Sequence, residues 1–280
     1  MGAPDLAMPE VPVQAGVLRG RAAVVPAGAG EGVSVHPSVL RGFGDAAERY
    51  ERGRPDYPAD GVAWLAERLG LGPGRTVADL AAGTGKLTRM LVPTGARVIA
   101  VEPGDGMRAQ LERAVPSVEA VSGYAERIPF EDGSVDAVTT AQAFHWFATD
   151  EALGEIARVL GPDGGLGLIW NTRDPDDDLQ RRITALTEPL RTDEQTHVGE
   201  GWREVVEAHP RFGPIEEAHF RHEQVVTAEQ LVERVLSISF VAVLPTDRQQ
   251  EVAAQVRRLT GPGEVRLPYV TKAYVTRRLD

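Results

Sequence analysis

The sequence predicts an α/β protein built on a doubly wound, mostly parallel sheet with helices on both faces. Two observations carry this reading. Val77–Ala81 is an apolar, β-prone run that feeds a Gly83-x-Gly85 turn, after which amphipathic residues resume at helical spacing. Strand-like and helix-like segments of matching length then alternate as far as Trp170. Such alternation requires crossover connections, and hence a sheet covered on both sides. No internal repeat is visible.

The elements follow in order. Met1 to Ser34 is rich in Pro, Gly, Ala and Val without periodicity and reads as a flexible N-terminal extension, with the folded domain at 35–280. The first half of Phe43 to Tyr57 is a short amphipathic helix that Gly53 and Pro55 break. Gly61–Leu69 is a helix with Val62, Leu65 and Leu69 on one face. Val77–Ala81 is the first strand, and the helix Leu87–Val92 stops at Pro93. The second strand is Val98–Val101, then a helix spans Met107–Ala114. Val118–Val121 and Ala137–Ala141 are the third and fourth strands. The helix Glu151–Leu160 runs into the turn Gly161-Pro162-Asp163-Gly164-Gly165, and Leu166–Trp170 is the fifth strand. A helical insertion over about 174–210 is where substrate contacts are expected. Glu217–Val226 is the sixth strand, helices follow at Thr227–Ser239 and Asp247–Leu259, and Val265–Thr276 is the last strand.

Composition narrows the function. The chain has 280 residues, enough for a large core. It has no Cys, which excludes disulfides, thiolate metal sites and a cysteine nucleophile. The formal net charge of −11 argues against a nucleic-acid footprint. No apolar run is long enough to span a membrane and no secretory signal is evident, so a cytoplasmic location is expected. Lys86 and Lys272 are the only lysines, and with abundant Ala, Gly and Pro this implies a GC-rich bacterial genome. No Gly-x-Ser-x-Gly elbow and no complete phosphate loop occurs; Lys86 after Gly85 is half of the latter, but Leu87 follows.

The glycine turn is the chemical landmark. Gly83 and Gly85 let a ligand approach the main chain, at the strand end where such sheets bind nucleoside-type cofactors. A dinucleotide fingerprint needs Gly or Ala where Thr88 stands, and Asp79 would repel a pyrophosphate. A carboxylate there suits a cationic ligand part, such as an amino group or a sulfonium. Glu102, at the end of the second strand, lies about 20 residues past the turn, where an acidic side chain usually meets ribose hydroxyls.

Asp79–Thr88, Glu102-Pro103, Ala125–Phe130 and Ala141–Phe147 occur in order at intervals that resemble the class I S-adenosylmethionine-dependent methyltransferases. Within them the chain is similar to the small-molecule branch of ubiquinone-biosynthesis-type and trans-aconitate-type enzymes. The resemblance spans roughly Phe43 to Asn171, with a looser tail. It implies a Rossmann-like seven-stranded sheet whose last strand is antiparallel, and S-adenosyl-L-methionine as cofactor. It implies further that Asp79 and the main chain of Ala81, Gly83 and the Gly85 turn hold the methionine part, and that Glu102 chelates the ribose. Pro103 and Met107 would line the adenine face, Ala125 and Glu126 would meet its edge, and Gln142 would lie near the sulfonium. The family often has Asp or Asn at the position of Ala125. The segment holding Tyr50, Arg54 and Tyr57 would close over the cofactor, with Tyr57 toward the acceptor.

His145, just past the fourth strand, is the candidate general base, since imidazole titrates near neutrality. Trp146, Trp170 and Asn171 are the candidate acceptor wall. Arg173, Arg181, Arg182, Arg191 and Arg203 could pair with a carboxylate substrate. His219, His222 and Glu223 resemble a metal cluster, but the two His are three apart on a strand and face opposite ways, so no metal site is expected. The leading expectation is methyl transfer to a small molecule. A nicotinamide-dependent oxidoreductase and a non-methylating cofactor-binding protein remain open alternatives.

Overall fold

The computed structural model describes residues 51–279 apart from 52, 192–200 and 262. The expected N-terminal extension, the helix beginning at Phe43, and Tyr50, His36 and His197 lie outside the described residues.

A seven-stranded sheet organises the fold. Its strands are β1 (Thr76–Leu80), β2 (Arg97–Val101), β3 (Glu119–Val121), β4 (Val135–Ala141), β5 (Leu160–Arg173), β6 (Glu216–Thr227) and β7 (Glu264–Arg277), in the order β3-β2-β1-β4-β5-β7-β6. Strands β1 to β5 pair parallel, and β7 is antiparallel to both neighbours, as the resemblance implied. The central strands β1 and β2 are buried on both faces, which is why they read as unbroken apolar runs. Edge strand β6 alternates between exposed and half-buried residues, the mark of a strand covered on one side.

Helices α1 (Ala59–Leu69), α2 (Thr88–Leu91) and α3 (Asp105–Ala114) cover one face. Leu65, Leu69, Leu87, Leu91 and Leu111 there bury against Val77, Val98 and Ile169. On the other face α4 (Asp150–Val159) sets Leu153 and Ile156 against Leu80, Val101 and Leu168. α4 starts where the Thr149 side chain accepts from the Ala152 amide. A third core joins α5 (Asp178–Thr187), α7 (Ala228–Leu236), α8 (Ser239–Ala242) and α9 (Thr246–Thr260) to β7, through Ile183, Val235, Val256 and Tyr269. α6 (Trp202–Ala208) completes the insertion after β5.

Two elements differ from expectation. The turn expected at Gly161–Gly165 lies inside β5, because Leu160 already pairs with Val135 before the register jumps to Ala137↔Gly165. Asp163 takes the left-handed conformation (φ 61) that the bend needs. The single helix expected over Thr227–Ser239 ends at Leu236, where Ser237 bonds back to the Arg234 carbonyl, and α8 starts afresh.

α1 lies on β5 because glycines make room for it. A Cβ at Gly167 would stand 2.8 Å from Leu69 Cδ1 and 2.9 Å from Leu65 Cδ1, both on fully buried leucines. Gly167→Ala is therefore expected to overpack this contact and destabilise the fold by about 1–3 kcal/mol. Urea unfolding of the two proteins checks this; equal midpoints would mean that α1 shifts freely on the sheet.

Candidate active site

Asp79 is fully buried near the end of β1. Its register partner on β4 is Thr139, so the two side chains share one face of neighbouring strands. Thr139 Oγ1 donates to Asp79 Oδ1 at 3.0 Å, and Thr88 Oγ1 donates to Oδ2 at 2.6 Å. Thr88 opens α2, so one carboxylate joins β1, β4 and the helix start. Burial pushes the Asp79 carboxyl up to about 6, and the charge of Glu102 adds to it against the two hydroxyls.

Glu102, directly after β2, is also buried. Its Oε2 accepts from the Gly83 amide at 2.9 Å and its Oε1 from the Gly104 amide at 2.8 Å. One side chain thus sets the shape of the glycine turn and of the entry to α3. Burial raises the Glu102 carboxyl too, opposed by those amides and by Arg108.

The backbone between these carboxylates is unusual. Ala81 (φ 56) and Gln142 (φ 60) adopt the left-handed region just past the ends of adjacent strands β1 and β4. That conformation is costly for residues with side chains, and it gathers at functional sites. Gly83 (φ 59) and Gly85 (φ 84) continue the turn, and a Cβ on Gly85 would come within 3.0 Å of Leu111. The Gln142 side chain donates to the Asn171 carbonyl at 3.3 Å, linking the ends of β4 and β5.

The segment before α1 is clamped to this turn. Glu51 accepts from Thr84 Oγ1 at 2.6 Å and from Arg89 Nη1 at 2.7 Å. Asp56 accepts from Lys86 Nζ at 3.1 Å and from Arg89 Nη2 at 2.6 Å. Burial alone would raise the Glu51 carboxyl, but Thr84, Lys86 and Arg89 together hold it below the usual range. Lys86 and Thr88, which counted in the sequence only as mismatches to phosphate-binding motifs, are both structural partners of acidic residues.

Several expected lid and wall residues stand elsewhere. Tyr57 is 6 % exposed and belongs to the same buried core as Leu65 and Ile169, while bordering a pocket with Glu51, Asp56 and Lys86. Arg54 donates to the Ser237 carbonyl at 3.1 Å and its hydroxyl at 3.3 Å, reaching the end of α7. The Asn171 amide is spent internally: Nδ2 donates to the Asp56 carbonyl at 3.1 Å, and Oδ1 accepts from Thr271 at 2.5 Å. Trp170 stacks on Trp202 (5.0 Å between centroids) and meets Tyr274 edge-on.

On the adenine side, Pro103 and Met107 are half-buried around the start of α3. Ala125 is 5 % exposed within the core, which leaves its main chain as the part able to face a ligand. Glu126 is half-buried, and burial raises its carboxyl, helped by Glu151. Arg158, not foreseen in the sequence, fastens this loop by donating to the carbonyls of Ile128 (3.0 Å) and Phe130 (2.8 Å) while pairing with Glu155.

His145 lies in a single helical turn, Phe144–Trp146, after β4. Its Nδ1 accepts from Trp170 Nε1 at 3.3 Å. Indole nitrogen only donates, so a neutral His145 carries its proton on Nε2. Burial depresses the imidazole to about 4, aided by the charges of Arg191 and Arg54. At neutral pH His145 thus offers a donor where a base was expected. Trp146 packs beside it, 5.1 Å between centroids.

The arginines divide. Arg181 and Arg182 are exposed on α5, and Arg203 pairs with Glu207 and Glu217 while lying over Trp202 and Tyr274. Arg191 lies close enough to His145 for its charge to act there, and Arg173 donates to Thr184 Oγ1 at 3.0 Å. His219 pairs outward with Glu217, whereas His222 stacks inward on Tyr269, on opposite faces of β6. Among the described residues no group of His, Cys, Asp and Glu is placed to hold a metal ion, and no helix is long and apolar enough to cross a membrane.

Taken together, enclosed carboxylates beside a left-handed turn suit a ligand that is cationic at one end and carries hydroxyls, and the set fits a sulfonium nucleoside. Residues 78–168 match the family model described as a methyltransferase domain. An uncharacterized methyltransferase of Mycobacterium tuberculosis is 38% identical over 236 residues, which cover 82% of this chain and 92% of the relative. Among solved structures, a candidate type II methyltransferase from Anaeromyxobacter dehalogenans is 28% identical, with a TM-score of 0.59 over 80% of this chain and 97% of that one. A phosphoethanolamine N-methyltransferase from Haemonchus contortus, held with phosphomonomethylethanolamine and S-adenosylhomocysteine, shares the fold at 16% identity and a TM-score of 0.52, covering 89% of this chain and 61% of that one.

The raised Asp79 pKa sets a stability test. The folded protein holds this proton more tightly than the unfolded chain, so the group's contribution is full below about 4 and is lost as pH rises through about 6. Asp79→Asn should therefore be the more stable apoprotein at pH 7.5, by on the order of 3 kcal/mol, with the gap halved near pH 5 and closed below about pH 4. His145 and His222 titrate in both proteins, so the difference between their melting curves reports Asp79 together with its coupling to Glu102. A gap that does not vary with pH would refute the assignment.

Proposed function

The chain belongs to the class I S-adenosylmethionine-dependent methyltransferases, and from that premise we propose that it methylates a small-molecule acceptor by in-line displacement, leaving S-adenosylhomocysteine. The pairing of Asp79 and Glu102, buried at the ends of adjacent parallel strands on either side of a left-handed turn, carries this reading. When bound, the cofactor supplies an activated methyl carbon and a neutral thioether leaving group.

The chain's own residues bind and orient. Asp79, with the main chain of Ala81, Gly83 and Gly85, is proposed to hold the methionine part. Glu102 keeps lone pairs beyond its amide bonds for the ribose hydroxyls. Pro103 and Met107 form the adenine wall, with the main chain of Ala125 and the side chain of Glu126 at its edge. Gln142, fixed by its strained backbone, borders the sulfonium side. Holding an acceptor in line with the methyl group can itself contribute about 7–11 kcal/mol. His145 serves that alignment as a hydrogen-bond donor through Nε2, held by Trp170. An acceptor that is already nucleophilic, such as a carboxylate, needs nothing more basic.

Two measurements test this. Calorimetric titration should show micromolar binding of S-adenosylhomocysteine, weakened at least about tenfold in Asp79→Ala, and none of NADH. Binding of NADH alone would return the fold to oxidoreductase chemistry. Because a cationic ligand favours the ionised carboxylate, affinity for S-adenosylmethionine should fall as pH drops through about 6.

With an acceptor in hand, kcat at saturating cofactor should show no acid limb from His145 above pH 5. His145→Gln, which keeps a donor, should retain more activity than His145→Leu. Equal loss in both variants, with a limb near pH 6.5, would restore His145 as the base.

A further inference from the structure

The end of the sheet opposite the glycine turn holds a cavity of about 520 Å³, lined by Leu69, Gly70, Arg75, Asp163, Arg277 and Arg278. Strand direction assembles it. Arg75 directly precedes β1, and Asp163 stands in the bend of β5. β7 runs antiparallel to β5, so its last residue, Arg277, returns to this end opposite Gly165, with Arg278 next to it. Leu69 ends α1, and Gly70 caps it in the left-handed conformation (φ 65). A Cβ built on Gly70 would meet nothing within 4 Å, so the space beside the helix end is open.

The arginines here are fixed in place without being neutralised. Arg277 donates through Nη1 to the Asp163 carbonyl at 3.0 Å and through Nη2 to the Arg68 carbonyl. Arg278 donates through Nη1 to the Leu160 carbonyl. Main-chain carbonyls orient a guanidinium but leave its charge. Arg75 pairs with Asp136 at 3.0 Å, whereas Arg277 and Arg278 form no ion pair among the described residues. The Nε atoms of Arg75 and Arg278 are enclosed in the wall, so the terminal nitrogens are what these two can present. A guanidinium carries five N–H donors, and Arg277, which is exposed, keeps donors beyond its two carbonyl bonds. Nor does the negative end of α1 oppose an anion. Its carbonyls at Ala66, Glu67 and Arg68 accept from Leu71, Gly70 and Arg277. The one acidic side chain on the wall is Asp163.

We propose that this cavity binds the phosphate group of a small molecule. Preorganised guanidinium forks match phosphate oxygens, and a phosphate monoester carries the charge of about −1.5 to −2 that Arg277 and Arg278 lack. The cavity is larger than a phosphate group, and Leu69 and Gly70 leave room for an organic part. The site stands at the far ends of the strands from Asp79 and Glu102 and does not depend on the methyl-transfer reading.

Inorganic phosphate and glycerol 3-phosphate serve as probes, titrated calorimetrically at constant ionic strength into the full-length protein, with and without S-adenosylhomocysteine. Saturable binding at one site is expected, equal in both conditions. Tighter binding of the ester identifies an organic phosphate as the ligand, and tighter binding of inorganic phosphate identifies the free ion. Asp163→Asn should tighten binding about threefold, because it removes a like charge from the wall. Asparagine accepts the left-handed backbone there (φ 61) and leaves the carbonyl that holds Arg277. A purely structural role for the arginines would not produce that gain. Asp247→Asn, the same charge change on exposed α9, should bind like the wild type. Arg277→Gln and Arg278→Gln should each weaken binding about 10–100-fold, the range for a charged hydrogen bond, with the affinity for S-adenosylhomocysteine unchanged. Asp163→Asn carries the test should either arginine variant not fold.

The proposal is overturned if neither probe binds the wild type, or if Asp163→Asn binds no tighter than Asp247→Asn. Probe binding that S-adenosylhomocysteine abolishes would overturn it too, by placing the anion in the cofactor cleft, as would folded arginine variants that bind like the wild type.

Discussion

The need to keep ionisable carboxylates out of water at the ends of β1 and β2 governs this structure. Asp79 and Glu102 lie at the ends of neighbouring strands and are both buried, which raises the cost of ionising each, and the charge of Glu102 adds to that of Asp79. Each is made tolerable by donors from elsewhere in the fold. Thr88 and Thr139 serve Asp79, and the amides of Gly83 and Gly104 serve Glu102. Satisfying those bonds fixes where α2 begins, how the glycine turn folds and how the chain enters α3. The strained backbone at Ala81 and Gln142 lies around the same point, as strain stored at a working site would.

The buried groups past the strand ends differ in charge: the carboxylates of Asp79 and Glu102 are buried at β1 and β2, and Arg234 on α7 is buried with Nε and Nη1 enclosed. His145, after β4, is depressed by burial and by the charges of Arg191 and Arg54, and accepts a hydrogen bond from Trp170.

The segment Glu51–Tyr57 joins the glycine turn to the end of α7. Its acidic side chains clamp the glycine turn through Thr84, Lys86 and Arg89, its carbonyl at Asp56 takes the Asn171 amide, and Arg54 reaches the end of α7. Tyr57 locks the segment in the core. A short stretch of chain thus touches the glycine turn, the end of β5 and the end of α7.

Local sequence determined the layered sheet and the positions of the proposed cofactor residues. The reason is periodicity and composition: apolar runs for doubly buried strands, glycines for a left-handed turn, and acidic residues directly at the strand ends. Asp79, Gly83, Gly85 and Glu102 are all legible because each is defined by neighbours within one strand–turn–helix unit. Only the tertiary structure decided which side chains serve those residues. Thr139 meets Asp79 through a β4–β1 register, and Arg54 meets Ser237 at the end of α7. Tyr57, Asn171 and Trp170 turned out to be held by packing and internal bonds. A side chain's partner depends on strand order and helix packing summed over the whole chain, and no local pattern encodes that sum.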